Sequence, residues 1–169
     1  VGLYFLYNGL TKDYKEKEVE TTTVTTTIIE EENPATEKTL FYPQDVIKAE
    51  DFVAYDIDGN EVKLSDCYGK PIVLNFWSTW CNHCKIELPL FEKAYKENPD
   101  ITFIMINITA ADDVKLVNEL LEKNGYTFTV WLDENADATE KYSVSSIPAT
   151  YFIDKNGNIV NHTVGEMDE

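Results

Sequence analysis

Hydrophobic and polar positions change their pattern at about residue 41, where regular apolar runs begin. The run at 72–77 is apolar at almost every position, as expected of a strand that is covered on both faces of a sheet. Apolar residues at helical spacing follow over 82–98, and a second apolar run at 101–108 predicts another strand. Strands that alternate with helices in this way predict crossover units.

Shorter elements surround this centre. The sequence predicts an α/β fold with a mixed central β-sheet, flanking helices, an N-terminal β-hairpin and a closing antiparallel hairpin. The side of the helix at 82–98 that faces the core is expected to contain Ile86, Leu90, Phe91, Ala94 and Tyr95. The additional predicted elements are strands at 52–57 and after the turn at 58–60, a helix at 112–124 that stops at Gly125, a strand at 128–132, a short helix at 136–142, and strands at 150–153 and 158–164.

The first forty residues have a different composition. Residues 1–10 are apolar and aromatic but too short to cross a bilayer, which takes about 20 residues. We interpret them as the trailing end of a membrane anchor or signal segment, and a short element packed on the domain is the alternative. Residues 11–40 combine charges with a threonine run and few large apolar side chains, which predicts a flexible tether. The globular domain is predicted over 41–169.

The charge balance excludes one class of partner. The chain has 31 aspartates and glutamates against 14 basic residues, all of them lysines, for a formal net charge of −17. Such a surface repels a phosphate backbone, and the sequence offers no guanidinium to bind one with two parallel hydrogen bonds. We therefore expect no nucleic-acid partner.

Two of the three cysteines, Cys81 and Cys84, stand directly after the strand at 72–77 and open the following helix. Unpaired N–H groups and the helix dipole stabilise a thiolate there, so Cys81 is expected to be unusually acidic. Cys84 would lie one turn away, close enough to attack a mixed disulfide. We assign Cys81 as the nucleophile and Cys84 as the resolving cysteine. Cys67 has no partner nearby in the sequence, and a buried inert thiol is expected.

The same pair of cysteines is compatible with other sites. Half of a zinc site has this spacing too, but a structural zinc needs four ligands, and the remaining candidates, Cys67, His83 and His162, are widely scattered. A purely structural disulfide would close a very small loop and stabilise the fold little. We expect no metal, and no cofactor besides the redox-active Cys81–Cys84 disulfide.

Two segments resemble the TlpA/ResA branch of the thioredoxin-like proteins. Residues 69–89, GKPIVLNFWSTWCNHCKIELP, resemble its active-site segment, and residues 145–154, SSIPATYFID, resemble its proline loop. The similarity extends over about residues 50–165. It implies a thioredoxin-like fold and an extracytoplasmic bacterial protein-disulfide oxidoreductase that is anchored to the cytoplasmic membrane or secreted. The implied partners are cysteine-containing protein substrates and a membrane or extracytoplasmic thiol that donates electrons.

The resemblance also implies roles for single residues. Pro148 corresponds to the branch's cis-proline facing the dithiol, and Ile147 would supply backbone for pairing with an extended substrate. Trp80 matches a tryptophan that shields one side of the thiolate, and a partly exposed aromatic residue without a role is the alternative. Glu87, three residues after Cys84, matches a partly buried acid that tunes the dithiol or shuttles protons. A solvated helical glutamate is the alternative there.

The pair Asn82-His83 departs from the Glu-Pro or Val-Pro that is often found in this branch. A protonated His83 would stabilise the thiolate and raise the reduction potential, as in strongly oxidising enzymes, so both residues are expected to tune the site. An exposed histidine without a role is the alternative. We favour a reductase over an oxidant, with cytochrome c maturation as one role that the branch includes, on the ground of the resemblance alone.

Other functions use a related fold or the same dithiol. A peroxiredoxin needs a threonine three residues before its reactive cysteine and an arginine, whereas Thr79 lies two residues before Cys81 and the sequence has no arginine. That function is not expected. A non-catalytic binding module, or a copper metallochaperone that uses the dithiol, is the alternative to an enzyme.

The sequence ends at Glu169, where the branch normally adds a last helix over one face of the sheet. We therefore expect the region after Gly165 to look incomplete, with an exposed apolar face or a neighbouring chain packed on it.

Overall fold

Residues 47–167, which the computed structural model describes, form seven strands and three α-helices. Short 3₁₀ turns occupy Leu64–Cys67 and Thr109–Ala111. Each predicted helix and strand is present, with bounds shifted by at most two residues. In chain order the elements are β1 (Val53–Asp56), β2 (Glu61–Lys63), β3 (Ile72–Trp77), α1 (Asn82–Glu97), β4 (Thr102–Asn107), α2 (Val114–Asn124), β5 (Thr129–Leu132), α3 (Asp137–Lys141), β6 (Ala149–Ile153) and β7 (Ile159–Val164).

The strands form one mixed sheet in the order β2-β1-β5-β4-β3-β6-β7. Strand β3 pairs in parallel with β4, and β4 with β5, whereas the other neighbours are antiparallel. The α/β fold with a mixed sheet, flanking helices and an N-terminal hairpin of β1 and β2 is thus confirmed. Because β6 runs against β3, with Phe76 beside Ala149, the end of β3 lies next to the start of β6. This register brings the segment after Trp77 close to the proline that precedes Ala149.

Strand β3 is buried at all six positions because both faces of the sheet are covered. Leu74 and Phe76 point into a core that also contains Phe52, Ile104, Trp131 and Tyr142. Val73 and Trp77 point into the opposite core, under α1 and α2, which includes Leu88, Phe91, Met105 and Val117. Successive side chains of a strand point to opposite faces, so one continuous apolar strand contributes to both cores.

The buried face of helix α1 differs in part from the predicted one. Its buried residues are Cys84, Glu87, Leu88, Phe91 and Glu92. Ile86 is 60% exposed, so the prediction that it faces the core is wrong, whereas Phe91 is fully buried. Leu90, Ala94 and Tyr95 are partly buried. The apolar pattern was misleading because two of the buried positions are glutamates. The apolar residues alone therefore mark a face that is rotated round the helix from the one that is buried.

The predicted anchor remnant (1–10) and tether (11–40) lie outside the described residues, as does the predicted start of the domain at residue 41. Within 47–167, no helix is long and apolar enough to cross a membrane. At the other end the described chain stops at Met167, whose side chain packs against the core that contains Phe152. The expectation of an incomplete C-terminal region stays a prediction.

Candidate active site

The two cysteines lie at the predicted place, at the beginning of helix α1 and directly beyond the end of β3. Cys81 is the N-cap residue, with an extended backbone, and its Sγ accepts a hydrogen bond from the N–H of Cys84 at 3.1 Å. A disulfide bond joins the two sulfur atoms. Cys84 is fully buried and Cys81 is 6% exposed. Cys81 is thus the more accessible residue of the pair, and its Sγ lies where helix N–H groups favour a negative charge.

The loop between β3 and α1 is held by a carboxylate that the sequence did not single out. Asp112 accepts hydrogen bonds from the N–H of Thr79 at 2.6 Å and from the Thr79 hydroxyl. The amide of Asn107, at the end of β4, donates to the same carboxylate at 2.9 Å. Burial alone would raise the pKa of Asp112, but these hydrogen bonds outweigh it and lower the pKa. Asp112 therefore remains a charged anchor for the backbone just before Cys81.

The proline loop faces the dithiol. The Ile147–Pro148 peptide bond is cis. The carbonyl oxygen of Ile147 lies 3.9 Å from the Sγ of Cys81. Ile147 is partly exposed and packs against both hydrophobic cores, whereas Pro148 is buried. The backbone of Ile147 therefore lies beside the sulfur that an incoming substrate would meet first.

Glu87 is buried on the inner side of α1, one turn after Cys84. It is 1% exposed. Its Oε1 accepts a hydrogen bond from the amide of Asn75 at 2.8 Å, and its Oε2 accepts one from the N–H of Met167 at 3.2 Å. Burial raises the pKa of Glu87 to about 7, partly opposed by these two hydrogen bonds and supported by the nearby charge of Glu166. A carboxyl group with this pKa can take up and release a proton near neutral pH.

The other residues predicted for the site, Trp80, Asn82 and His83, are exposed. Asn82 and His83 are exposed on the first turn of α1. The Nδ1 of His83 lies 2.8 Å from the Oε2 of Glu166. Trp80 is 59% exposed, and its indole N–H donates to the carbonyl oxygen of Ala111 at 3.0 Å. Trp80 is thus fixed to the loop before α2.

Cys67 lies apart from this site, in the 3₁₀ turn after β2, where it is partly buried against the first core. Burial, and then the charge of Asp66, raises the pKa of its thiol. A raised pKa leaves less thiolate, so Cys67 is a poor nucleophile. Among residues 47–167, no group of three or more His, Cys, Asp or Glu side chains is arranged to hold a metal ion.

Sequence reasoning missed the polar contacts that support the site. Asn75 lies within the predicted strand at 72–77, yet its amide donates both to Glu87 and, at 2.9 Å, to the hydroxyl of Thr150. Asp112 and Glu166 carry no motif at all. Asp112 lies just before the N-cap residue of α2. This position was the one local indication that its carboxylate binds a backbone segment.

Comparisons with known proteins agree with this geometry. Residues 47–162 match the model of the AhpC/TSA family. The chain is 33% identical over 121 residues to "Thiol-disulfide oxidoreductase ResA" of Bacillus subtilis, which covers 72% of this chain and 68% of that protein.

Two solved structures are similar over most of their length. One is the exposed lipoprotein thioredoxin Etrx1 of Streptococcus pneumoniae, with 29% identity, a TM-score of 0.62 and coverage of 70% of this chain and 92% of that one. The other is a secreted disulfide oxidoreductase of Mycobacterium tuberculosis, described as homologous to E. coli DsbE, with 30% identity, a TM-score of 0.60 and coverage of 69% and 87%.

These matches confirm the resemblance, the thioredoxin-like fold and the enzymatic class. The prediction that the chain is not a peroxiredoxin rests on Thr79 and on the missing arginine, and it stays a prediction. A thiol-disulfide oxidoreductase needs a pair of redox-active cysteines. Here Cys81 and Cys84, joined by a disulfide at the N-terminus of α1, form such a pair. The chain therefore belongs to the AhpC/TSA family, as a thioredoxin-like thiol-disulfide oxidoreductase of the ResA type that acts on cysteine-containing proteins.

Proposed function

We propose that the protein is an extracytoplasmic disulfide reductase, with Cys81 as nucleophile, Cys84 as resolving cysteine and Glu87 as the proton-exchanging group. The observation that carries the proposal is the position of the Cys81 sulfur. It lies at the N-terminus of α1 and beside the Ile147 carbonyl oxygen, with a buried carboxyl group one turn behind the dithiol.

The reducing direction is supported by the charges near the dithiol. Glu87 lies one turn after Cys84, and Glu166 pairs with His83 of the cysteine turn, which offsets the positive charge of a protonated imidazole there. Negative charge near Cys81 disfavours its thiolate and so favours the disulfide state. A couple whose disulfide state is favoured has a lower reduction potential and gives its electrons away more readily.

In the first step, the Cys81 thiolate attacks one sulfur of a substrate disulfide. A bond forms between Cys81 and that sulfur, the substrate S–S bond breaks, and the second substrate sulfur leaves as a thiolate that takes up a proton. The backbone of Ile147 would pair with the extended substrate segment and align its disulfide with Cys81.

In the second step, Cys84 resolves the mixed disulfide. The Glu87 carboxylate accepts the proton of the Cys84 thiol, and the resulting thiolate attacks the Sγ of Cys81. The substrate sulfur leaves and is protonated, so the substrate gains two electrons and two protons while the Cys81–Cys84 disulfide forms. A membrane or extracytoplasmic dithiol then returns two electrons to this disulfide.

The location is part of the proposal. One similar structure is that of an exposed lipoprotein and another that of a secreted oxidoreductase. We propose that this chain also works outside the cytoplasmic membrane, tethered through residues 11–40 to an anchor of which residues 1–10 are the end. Trp80, which directly precedes Cys81, and Pro148, in the loop that faces the dithiol, would contact the substrate. Asn82 and His83 would tune the dithiol.

The proposal is tested by the reduction potential of the Cys81–Cys84 couple, measured by equilibration with glutathione. We expect a value near that of thioredoxin, about −270 mV, whereas a value some 100 mV higher would identify an oxidant and overturn the reducing direction. Insulin and a peptide with an oxidised Cys-x-x-Cys-His sequence serve as substrates, the latter as a probe of apocytochrome reduction.

Cysteine variants provide the matched controls. Cys81→Ser should abolish reduction of both substrates, and Cys84→Ser should trap the mixed disulfide, which is visible as a mass increase. Cys67→Ser should leave turnover unchanged, because this thiol lies in the turn after β2. Trapping in Cys84→Ser also separates an enzyme from a non-catalytic binding module or copper metallochaperone, which would form no such adduct.

A further inference from the structure

Three consecutive residues after β7, here called the C-terminal strap (Gly165, Glu166 and Met167), contact three different parts of the active site. The N–H of Gly165 donates to the carbonyl oxygen of Pro148 at 2.8 Å. Glu166 pairs with His83 at 2.8 Å. The N–H of Met167 donates to Glu87 at 3.2 Å. The strap therefore connects the proline loop to the first two turns of α1.

The backbone on both sides of Glu166 is fixed by these contacts. Exposed ion pairs are usually weak because two long side chains must be ordered for one contact. Here the neighbours of Glu166 are already held by hydrogen bonds, and Met167 packs into the core beneath α1. The carboxylate is thus presented to His83 by an ordered backbone, at the helix end where Cys81 lies.

We propose that Glu166 is a positioning residue that holds the His83 imidazole, cancels the positive charge that this imidazole carries when protonated, and so lowers the reduction potential of the Cys81–Cys84 couple. The inference rests on the proposed function of this dithiol and extends it to a residue on a distant segment of the chain. Its role is to act through His83, not through direct contact with the substrate.

The reason lies in the reduced state. A free imidazolium two residues after Cys81 would stabilise the Cys81 thiolate, which exists only when the disulfide is reduced, and would raise the potential. The first turn of α1 contains no acidic residue of its own, and a cation is unfavourable at a helix N-terminus. Glu166 supplies the missing negative charge from a position 83 residues away.

The test is a double-mutant cycle with Glu166→Gln, His83→Asn and the double variant. The measured quantity is the equilibrium constant at pH 7 for protein disulfide plus two glutathione giving protein dithiol plus glutathione disulfide. Glu166→Gln should raise this constant roughly two- to fivefold, the size of one partly exposed ion pair. In the His83→Asn background the same change should shift it much less, because no imidazole remains to be released.

A matched control comes from the opposite edge of the sheet. Glu61, at the start of β2, forms an exposed pair with Lys63, and Glu61→Gln changes the net charge by the same amount. This variant should leave the constant unchanged. Thermal unfolding of each variant, in both redox states, verifies that the fold is retained.

Two outcomes overturn the inference. An unchanged constant in Glu166→Gln means that the ion pair has no influence on the dithiol. An equal shift with and without His83 means that Glu166 acts by its own charge and not through the histidine. Neither outcome concerns the proposed function, which fails on a different measurement, namely a wild-type potential in the oxidant range.

Discussion

Helix α1 carries two buried glutamates that behave in opposite ways. Glu87 lies next to the dithiol and Glu92 lies five residues further along, and they are 1% and 8% exposed. Burial raises the pKa of Glu87 to about 7. Burial also favours a higher pKa for Glu92, but hydrogen bonds from Lys96, Thr127 and Phe128 outweigh it and the pKa is lowered.

The difference lies in how completely each carboxylate is satisfied. Glu92 accepts from the N–H and hydroxyl of Thr127 and from the N–H of Phe128, and Lys96 lies 2.8 Å away. Glu87 accepts from one amide and one backbone N–H. A buried carboxylate with a full set of donors is a structural anchor, whereas one with few donors keeps a proton within reach. The opposite pKa shifts of the two glutamates therefore reflect both the deeper burial of Glu87 and the larger number of donors around Glu92.

The largest effect expected from this comparison is on how the free energy of unfolding depends on pH. The raised pKa of Glu87 means that the folded state binds a proton more tightly than the unfolded state, so stability is full below about pH 4.5 and falls as pH rises to about 7. The change should reach about 3 kcal/mol. Urea unfolding of the oxidised protein from pH 4 to 8 measures it, and Glu87→Gln should remove this part of the pH dependence. A wild-type slope that survives in the variant would disprove the assignment.

The proposed role of Glu87 as proton acceptor predicts slower disulfide exchange without it. We expect Glu87→Gln to reduce insulin reduction roughly 100-fold at pH 7, since general acid–base groups contribute about that much or more. Glu92→Gln is the matched control on the same helix and should change the rate less than about twofold, after allowance for stability. Equal losses of rate in both variants would show that Glu87 has no catalytic role that Glu92 lacks.

The next effect concerns Glu92 and has the opposite sign in pH. Glu92→Gln should destabilise the protein by about 2 kcal/mol at pH 7, because the single oxygen of an amide cannot accept from all four donor groups around it. Since the folded-state pKa is lowered, the wild-type advantage is present above about pH 4.5 and disappears as pH falls through the folded value. Unfolding curves at pH 7 and pH 3 provide the measurement. A destabilisation that persists in acid would contradict the charged-anchor role.

The smallest expected effect concerns the hydrogen bond from Asn75, which influences the pKa of Glu87. Asn75→Ala removes the amide that donates to Oε1 and lowers the pKa of Glu87, so this pKa should rise further in the variant. The inflection of the pH–rate profile, or an NMR titration of the side-chain carboxyl, reports it. Thr150→Val serves as control, because it removes the other acceptor of Asn75 and leaves the bond to Glu87 in place. An unshifted inflection in Asn75→Ala would count against the hydrogen bond.

The fold and the dithiol were predictable because their signals are local. An apolar run predicts β3, a Cys-x-x-Cys pair follows it, and Gly125 ends α2 in the left-handed conformation that favours glycine. The face of α1 was mispredicted at Ile86 because hydrophobic periodicity cannot recognise a buried glutamate. The surroundings of Glu87 were beyond prediction for the same reason.

The order of the elements, the position of Cys81 at the start of a helix and the spacing that places Cys84 behind it can all be read from the amino-acid sequence. Which polar groups meet depends on the folded chain: Asn75 contacts Glu87, Asp112 contacts Thr79, and Glu166 contacts His83. The apolar side chains that face a core recur at a fixed spacing along a helix or strand, and this spacing can be recognised without knowing which residues they contact. A hydrogen bond between residues 83 positions apart leaves no period in the sequence and depends on where the whole sheet brings two loops together.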